Sequence, residues 1–330
     1  MDAATEAARK GDAAGALTGW MGALKLLDRR APQRVEVLRH LGTAHREAGD
    51  TAQADSYYRQ SLELATQLAD PVGMAHATNW IAVLAVHRGL LEEADAGLEH
   101  ARALAREAGE HRLLGMIEQN RGVLASIRGD LDTAIVHYRA ALDGFRAAND
   151  AAMIASVLNN VGLVAVELKR WEEAERSYTE AITTARAAGL LAIVNSVELN
   201  IGSFAARRAQ WESVADSGAR GIDIARLSRS RWREAEALRL KGMAAREQGR
   251  LDDAERDLTT AALLATEVED RLLEAQVARE LGELFCTGGR LGEARAALAR
   301  ALDMFQRMGA SLDARRTETL LSELNSAARA

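Results

Sequence analysis

Apolar and polar positions along this chain recur on two scales. Within single stretches, such as Ala151 to about Leu168, apolar side chains fall three and four residues apart, the spacing of one helical face. On the longer scale the whole pattern returns every forty residues. One register of small residues reads Gly42, Ala82, Gly122, Gly162, Gly202, Gly242 and Gly282. Further registers read Ala54, Ala94, Ala134, Ala174, Val214, Ala254, Ala294, and Ser61, Ala101, Ala141, Ala181, Gly221, Ala261, Ala301. Between the last two lies a larger residue: Tyr58, Leu98, Tyr138, Tyr178, Gly218, Leu258 and Leu298. The period holds without an insertion through all seven copies.

Each copy predicts two helices. The turn between them carries Gly, Lys or Ala, as at Gly49, Gly129, Lys169 and Ala209, where a helix end calls for a left-handed residue. The second helix opens on carboxylates, as in Trp171-Glu172-Glu173, which suit the positive end of the helix dipole. Small residues let the two helices approach closely, and the larger residue fills the gap that remains. An apolar seam completes the unit, with Val37, Ala77, Ile117, Val157, Val197, Ala237 and Val277, and seven residues later Ala44, Leu84, Leu124, Val164, Phe204, Ala244 and Leu284.

The Ala134-x3-Tyr138-x2-Ala141 and Ala174-x3-Tyr178-x2-Ala181 strings resemble helix B of the tetratricopeptide repeat (TPR) family. The forty-residue period and the stretch Val157-Leu158-Asn159-Asn160-Val161-Gly162 are similar to its longer-helix branch of kinesin light chains, LGN-type adaptors and MalT-like bacterial regulators. The resemblance implies an all-α, right-handed superhelical solenoid. The expected layout is one solenoid over 1–330, with a truncated first repeat at 1–33, seven repeats over 34–309 and a capping helix over 310–330. The truncated repeat would place a short helix near residues 3–9, and the cap would run from Leu312 with Leu320, Leu321 and Leu324 apolar. Some positions depart from the pattern. Arg121 and Lys241 stand where helix A prefers an apolar residue. Gly218, Gly221 and Val214 weaken the fifth full repeat, which is expected to pack less tightly.

Composition narrows the function classes. The 330 residues carry a net charge of −6, so no bulk basic field favours nucleic acid. No stretch approaches a membrane span and no apolar leader opens the chain, so no membrane partner is expected. A single cysteine, Cys286, excludes an internal disulfide and fits a reducing cytoplasm. Only four of the 42 basic Lys and Arg residues are Lys, which with abundant Ala suggests a GC-rich bacterial genome.

The resemblance places function on the concave side lined by helix A. There the inward register reads His40, Trp80, Asn120, Asn160, Asn200, Leu240 and Glu280, preceded by Arg39, Asn79, Gln119, Asn159, Leu199, Arg239 and Arg279. Three Asn at forty-residue spacing form a ladder able to hold an extended peptide backbone, as similar ladders do in the resembling proteins. The same Asn can instead bond neighbouring helices or water. Trp80, Val83, Val86, Val123, Leu163 and Val166 supply a candidate apolar floor. Arg207, Arg239, Arg246 and Arg279 offer carboxylate clamps, interleaved with Glu236, Glu280 and Glu283 that can pair with them instead. His40 and His76 complete no metal-binding spacing, Cys286 has no histidine partner in reach, and no phosphate loop occurs, so neither catalysis nor a cofactor is expected. The leading expectation is a cytoplasmic, non-enzymatic adaptor or scaffold that binds a protein or peptide segment. A ligand-sensing regulatory module and a self-assembling homo-oligomeric array remain open beside it.

Overall fold

The computed structural model describes Ala4, residues 13–308 and residues 310–327. The helix expected near residues 3–9, apart from Ala4, and the turn expected at Gly309 lie outside the described residues. The chain divides into two compact units, residues 1–170 and 171–330. The first holds α1 (Ala13–Leu26), α2 (Gln33–Glu47), α3 (Thr51–Gln67), α4 (Pro71–His87), α5 (Leu91–Glu107), α6 (His111–Arg128), α7 (Leu131–Ala147) and α8 (Ala151–Glu167). The second holds α9 (Trp171–Ala187), α10 (Leu191–Arg207), α11 (Trp211–Leu227), α12 (Arg231–Glu247), α13 (Leu251–Glu267), α14 (Arg271–Thr287), α15 (Leu291–Arg307) and α16 (Ser311–Ala327). Even-numbered helices are the A members of the repeats and odd-numbered helices the B members.

The turns explain why the period never slips. A residue of positive φ stands every twenty residues from 49 to 289. Seven are Gly, but Ala69, Asn149, Lys169, Ala209, Arg229 and Glu269 adopt the same left-handed conformation. In each turn the next N–H reaches back five residues, as from Asp50 to the His45 carbonyl and from Arg250 to the Ala245 carbonyl. That closure satisfies the orphan carbonyls of the helix end. Asp50, Asp70, Asp130, Asp150 and Asp270 then cap the following helices by accepting from the N–H three residues on.

Packing follows the small-residue registers. A Cβ added at Gly42 would lie 2.5 Å from the Tyr58 ring, and one at Gly122 would lie 2.6 Å from Tyr138. At Gly242 and Gly282 the larger residue is Leu258 and Leu298, each 2.6 Å away. The seam residues Val37, Ala77, Ile117, Val157, Val197, Ala237 and Val277 are fully buried. A helices of successive repeats touch one another, α2 with α4 and α4 with α6 in the first unit, α10 with α12, α12 with α14 and α14 with α16 in the second.

The fifth repeat is not loosened in the way its glycines suggest. Where Gly218 leaves no knob for Gly202, Leu240 of α12 fills the space, 3.0 Å from a Cβ built on Gly202. Gly218 itself lies under the Ala237 carbonyl and Lys241, and Gly221 under Ala237, each 3.0 Å from an added Cβ. The glycines exchange an aromatic knob for close approach of α11 to α12. The two basic departures are explained by ion pairs: Arg121 binds Glu99 on α5, and Lys241 Nζ lies 2.9 Å from Asp257 on α13.

Candidate ligand-binding faces

In the first unit, α4 presents Asn79, Trp80, Val83 and Val86 at helical spacing. Trp80 lies parallel to Tyr58, with ring centroids 6.1 Å apart, and the Arg46 guanidinium covers it at 5.0 Å. Asn79 is fully buried, whereas Trp80, Val83 and Val86 are half-buried. On α6 the Asn120 amide donates to the Asn79 side-chain oxygen at 2.9 Å. Part of the expected ladder is therefore a bond between adjacent A helices, joining its two neighbouring registers. That bond uses one donor of Asn120; a carboxamide offers two donors and two lone pairs.

The remaining residues divide by exposure. Asn159, Asn160 and Val123 are half-buried, and Leu163 is 42% exposed. Asn159 is engaged by the protein, whereas the Asn160 side chain makes no hydrogen bond among the described residues. Val166, expected in the apolar floor, is instead 5% exposed and belongs to the core. The strip that stays accessible is Trp80, Val83, Val86, Val123 and Leu163, with Asn120 and Asn160 beside it.

The two histidines of this face are structural. The His40 ring stacks on Trp20 at 4.5 Å. Burial holds the His76 pKa down at about 4, with the nearby Arg39, Arg112 and His40 acting in the same direction. Among the described residues no group of His, Cys, Asp or Glu is placed to hold a metal ion.

In the second unit the inward arginines converge. A pocket of about 280 Å³ is lined by Arg207, Arg239, Arg246, Arg279 and Arg316, with Glu280, Trp211 and Met243 among its other walls. Arg239 binds Glu236 through two nitrogens at 2.6 and 3.0 Å. Arg246 reaches Glu280 at 3.0 Å and Glu283 at 2.9 Å. Arg279 donates from Nη1 to Asp313 at 2.6 Å and lies 5.5 Å from the centre of the Phe305 ring. Arg246, Arg279 and Glu280 are buried; Arg207 and Arg316 are exposed. Burial, then repulsion from Glu280, pushes the Glu283 pKa up against the pull of the arginines. Asn200, half-buried on α10, is engaged by the protein.

Sequence reading missed Arg316 and Asp313, because both stand outside the inward register. A signal existed. Arg246 with Glu280 and Arg279 with Asp313 are opposite charges separated by the same thirty-four residues, an offset that joins adjacent A helices.

A family model described as tetratricopeptide repeat matches residues 116–187 and 233–307, and a second of the same description matches residues 37–72. Together they cover more than half of the chain. The chain belongs to the tetratricopeptide repeat family. Neither TPR match includes 188–232, the stretch that carries Gly218 and Gly221. Comparison with curated proteins gives no match. Among solved structures, a STAND protein with a tetratricopeptide repeat sensor from Pyrococcus horikoshii is similar with a TM-score of 0.65 and 13% identity. That match covers 96% of this chain and 54% of the STAND protein. The apo quorum sensor NprR from B. thuringiensis gives a TM-score of 0.59 at 13% identity, covering 98% of this chain and 96% of NprR. A Rap protein complexed with Competence and Sporulation Factor gives 0.58 at 11% identity, covering 98% and 95%. At these identities the likeness establishes the TPR fold.

Proposed function

We propose that this TPR chain is a cytoplasmic, non-enzymatic module that binds a protein or peptide segment on the inward faces of its A helices. Trp80, Val83, Val123 and Leu163 accept apolar side chains. Asn120, Asn159, Asn160 and Asn200 hold backbone amides, while the fully buried Asn79 braces Asn120 from behind. Arg207, Arg239, Arg246 and Arg279 take an acidic group. The observation that carries the reading is the accessible apolar strip flanked by Asn120 and by Asn160, whose side chain makes no hydrogen bond among the described residues. An apolar patch rimmed by polar groups is the usual mark of an interaction surface. No helix among the described residues is long and apolar enough to cross a membrane.

A regulatory version of the same function has its own support. The STAND relative is a sensor by its TPR part, NprR is a quorum sensor, and the Rap structure holds a bound factor. A sensing module would couple occupancy to output from another domain or chain.

The test is a pull-down from native cytosol followed by titration of the captured partner. Replacing Asn120, Asn160 and Asn200 together with Ala is expected to weaken binding more than tenfold and to leave the helical melting transition largely intact. Unchanged affinity removes the carboxamides from the mechanism. Leu163→Asp tests the strip separately, because its side chain is exposed and its replacement spares the core.

A further inference from the structure

We propose that the B-helix side of α9, α10 and α11 carries a binding site for a small apolar amino acid, held as a zwitterion between Glu175 and Arg208. The site lies off the inward register and is separate from the protein- or peptide-binding faces described above.

Elsewhere in the chain the corresponding charges satisfy one another. An acid on a B helix meets an arginine thirty-three residues later, at the end of the following A helix. Arg88 Nη1 lies 3.4 Å from Asp55, and Arg128 Nη1 lies 2.7 Å from Asp95. In the next copy both charges are replaced, by Ile135 and Leu168, and in the one after the pair is Glu175 and Arg208. Glu255, further along the same acid register, is taken by Arg290 at 2.5 Å. Glu175 departs from this rule: its carboxylate makes no hydrogen bond or ion pair among the described residues.

The cause lies in α10. Four residues before the arginine, the seam carries Leu84 for Arg88 and Leu124 for Arg128, but Phe204 for Arg208. The Arg208 guanidinium lies over the Phe204 ring, 5.5 Å from its centre, where the ring face attracts a cation. Trp171 and Tyr178 brace that ring, with centroids 6.1 and 6.0 Å away. Arg208 therefore stays over its own helix. A pocket of about 340 Å³ opens instead, with Glu175 and Arg208 both in its walls.

The rest of the lining defines the ligand. Ile201, Phe204 and Ala205 give the pocket an apolar floor. Beyond the ring contact, the Arg208 side chain makes no hydrogen bond or ion pair among the described residues, so its donors are available to a carboxylate. Gln210 and Ser213, at the start of α11, stand in the same lining. Gln210 is the N-cap and makes no side-chain capping bond, so the first turn of α11 adds its positive end to the arginine. Glu175 supplies the opposite charge for an ammonium group. One anion, one cation and an apolar floor complement the ammonium, carboxylate and side chain of an apolar amino acid. The volume, near the lower end of ligand cavities, suits a molecule of that size rather than a folded partner.

The experiment is calorimetric titration of the full chain with L-leucine and three partial mimics. Isocaproate lacks the ammonium group, isoamylamine lacks the carboxylate and glycine lacks the apolar side chain. Each probe is titrated into the wild type, Glu175→Gln and Arg208→Gln. Both positions are exposed, so the variants should keep the wild-type melting temperature.

Leucine should bind the wild type at least tenfold more tightly than any of the three mimics. Glu175→Gln should weaken leucine to the level of isocaproate, and Arg208→Gln should weaken it to the level of isoamylamine. Absence of leucine binding to the wild type overturns the site. Isocaproate or isoamylamine binding as tightly as leucine overturns the zwitterion, and leucine affinity unchanged in either folded variant removes that residue and with it the proposed grip. None of these outcomes alters the test of the apolar strip, which rests on the Asn and Leu163 variants.

Discussion

At the scale of single residues, backbone conformation outranks residue identity at the turns. Six of the positive-φ positions are not glycine, and each carries the steric cost of a Cβ in the left-handed region. Ala209→Gly and Glu269→Gly should each raise stability by about 0.5–1 kcal/mol, measured by urea denaturation, because glycine removes that cost. Gly129→Ala should lower it by a similar amount. No atom lies within 4 Å of the added Cβ there, so the loss is conformational alone. Gly42→Ala belongs to a different mechanism. Its Cβ meets the Tyr58 ring, and the expected loss is about 1–3 kcal/mol from overpacking.

His76 gives a residue-scale prediction with a definite sign. Its folded pKa, about 4, lies below the unfolded value near 6.5. Between those values the unfolded chain binds a proton that the folded chain refuses, so stability falls as pH drops from about 6.5 to 4. The melting temperature of His76→Gln should fall less over that window than that of the wild type. The expected difference in acid-induced loss is on the order of 1–3 kcal/mol. Parallel pH profiles for the two proteins would remove His76 from the account.

At the scale of elements, the fifth repeat shows how a helix pair compensates for a lost knob. Sequence predicts a loose seam from Gly218 and Gly221, since interior glycine weakens a helix. What the pattern does not show is that Leu240, from the neighbouring A helix, enters the vacated space and becomes 1% exposed. Leu240→Ala should therefore cost about 2–5 kcal/mol, the usual loss for a fully buried leucine, and should abolish protection in α11 and α12 first. Hydrogen exchange by segment checks this. A variant as stable as the wild type would mean that Leu240 is not the filler. The basic residues Arg121 and Lys241 teach the same lesson: positions that look misplaced in helix A find carboxylates on the adjoining B helices.

At the scale of the whole molecule, strong contacts join helices adjacent in sequence or in successive repeats. Stability is then close to a sum of repeat and neighbour terms. The consequence is locality: Leu240→Ala should leave exchange protection in α2–α5 unchanged within error, and a global loss of protection would contradict nearest-neighbour coupling. The apolar strip and the Asn160 carboxamide lie in one unit and the arginine-lined pocket in the other.

The amino-acid order by itself determined the helix pairs, their forty-residue repeat, the TPR resemblance and the buried seam of the core. It could do so because a period of 3.6 residues and a recurrent turn residue are local properties. Tertiary structure alone decided which inward residues remain available. Register projection treats successive A helices as identical rungs, whereas their actual offset sets residue i against i+34 or i+41. That offset ties Asn120 to Asn79, brings Asp313 to Arg279 and withdraws Val166 into the core. The physical reason is that a hydrogen bond or an ion pair depends on distances of a few ångströms between helices, which the registers of the forty-residue unit do not set.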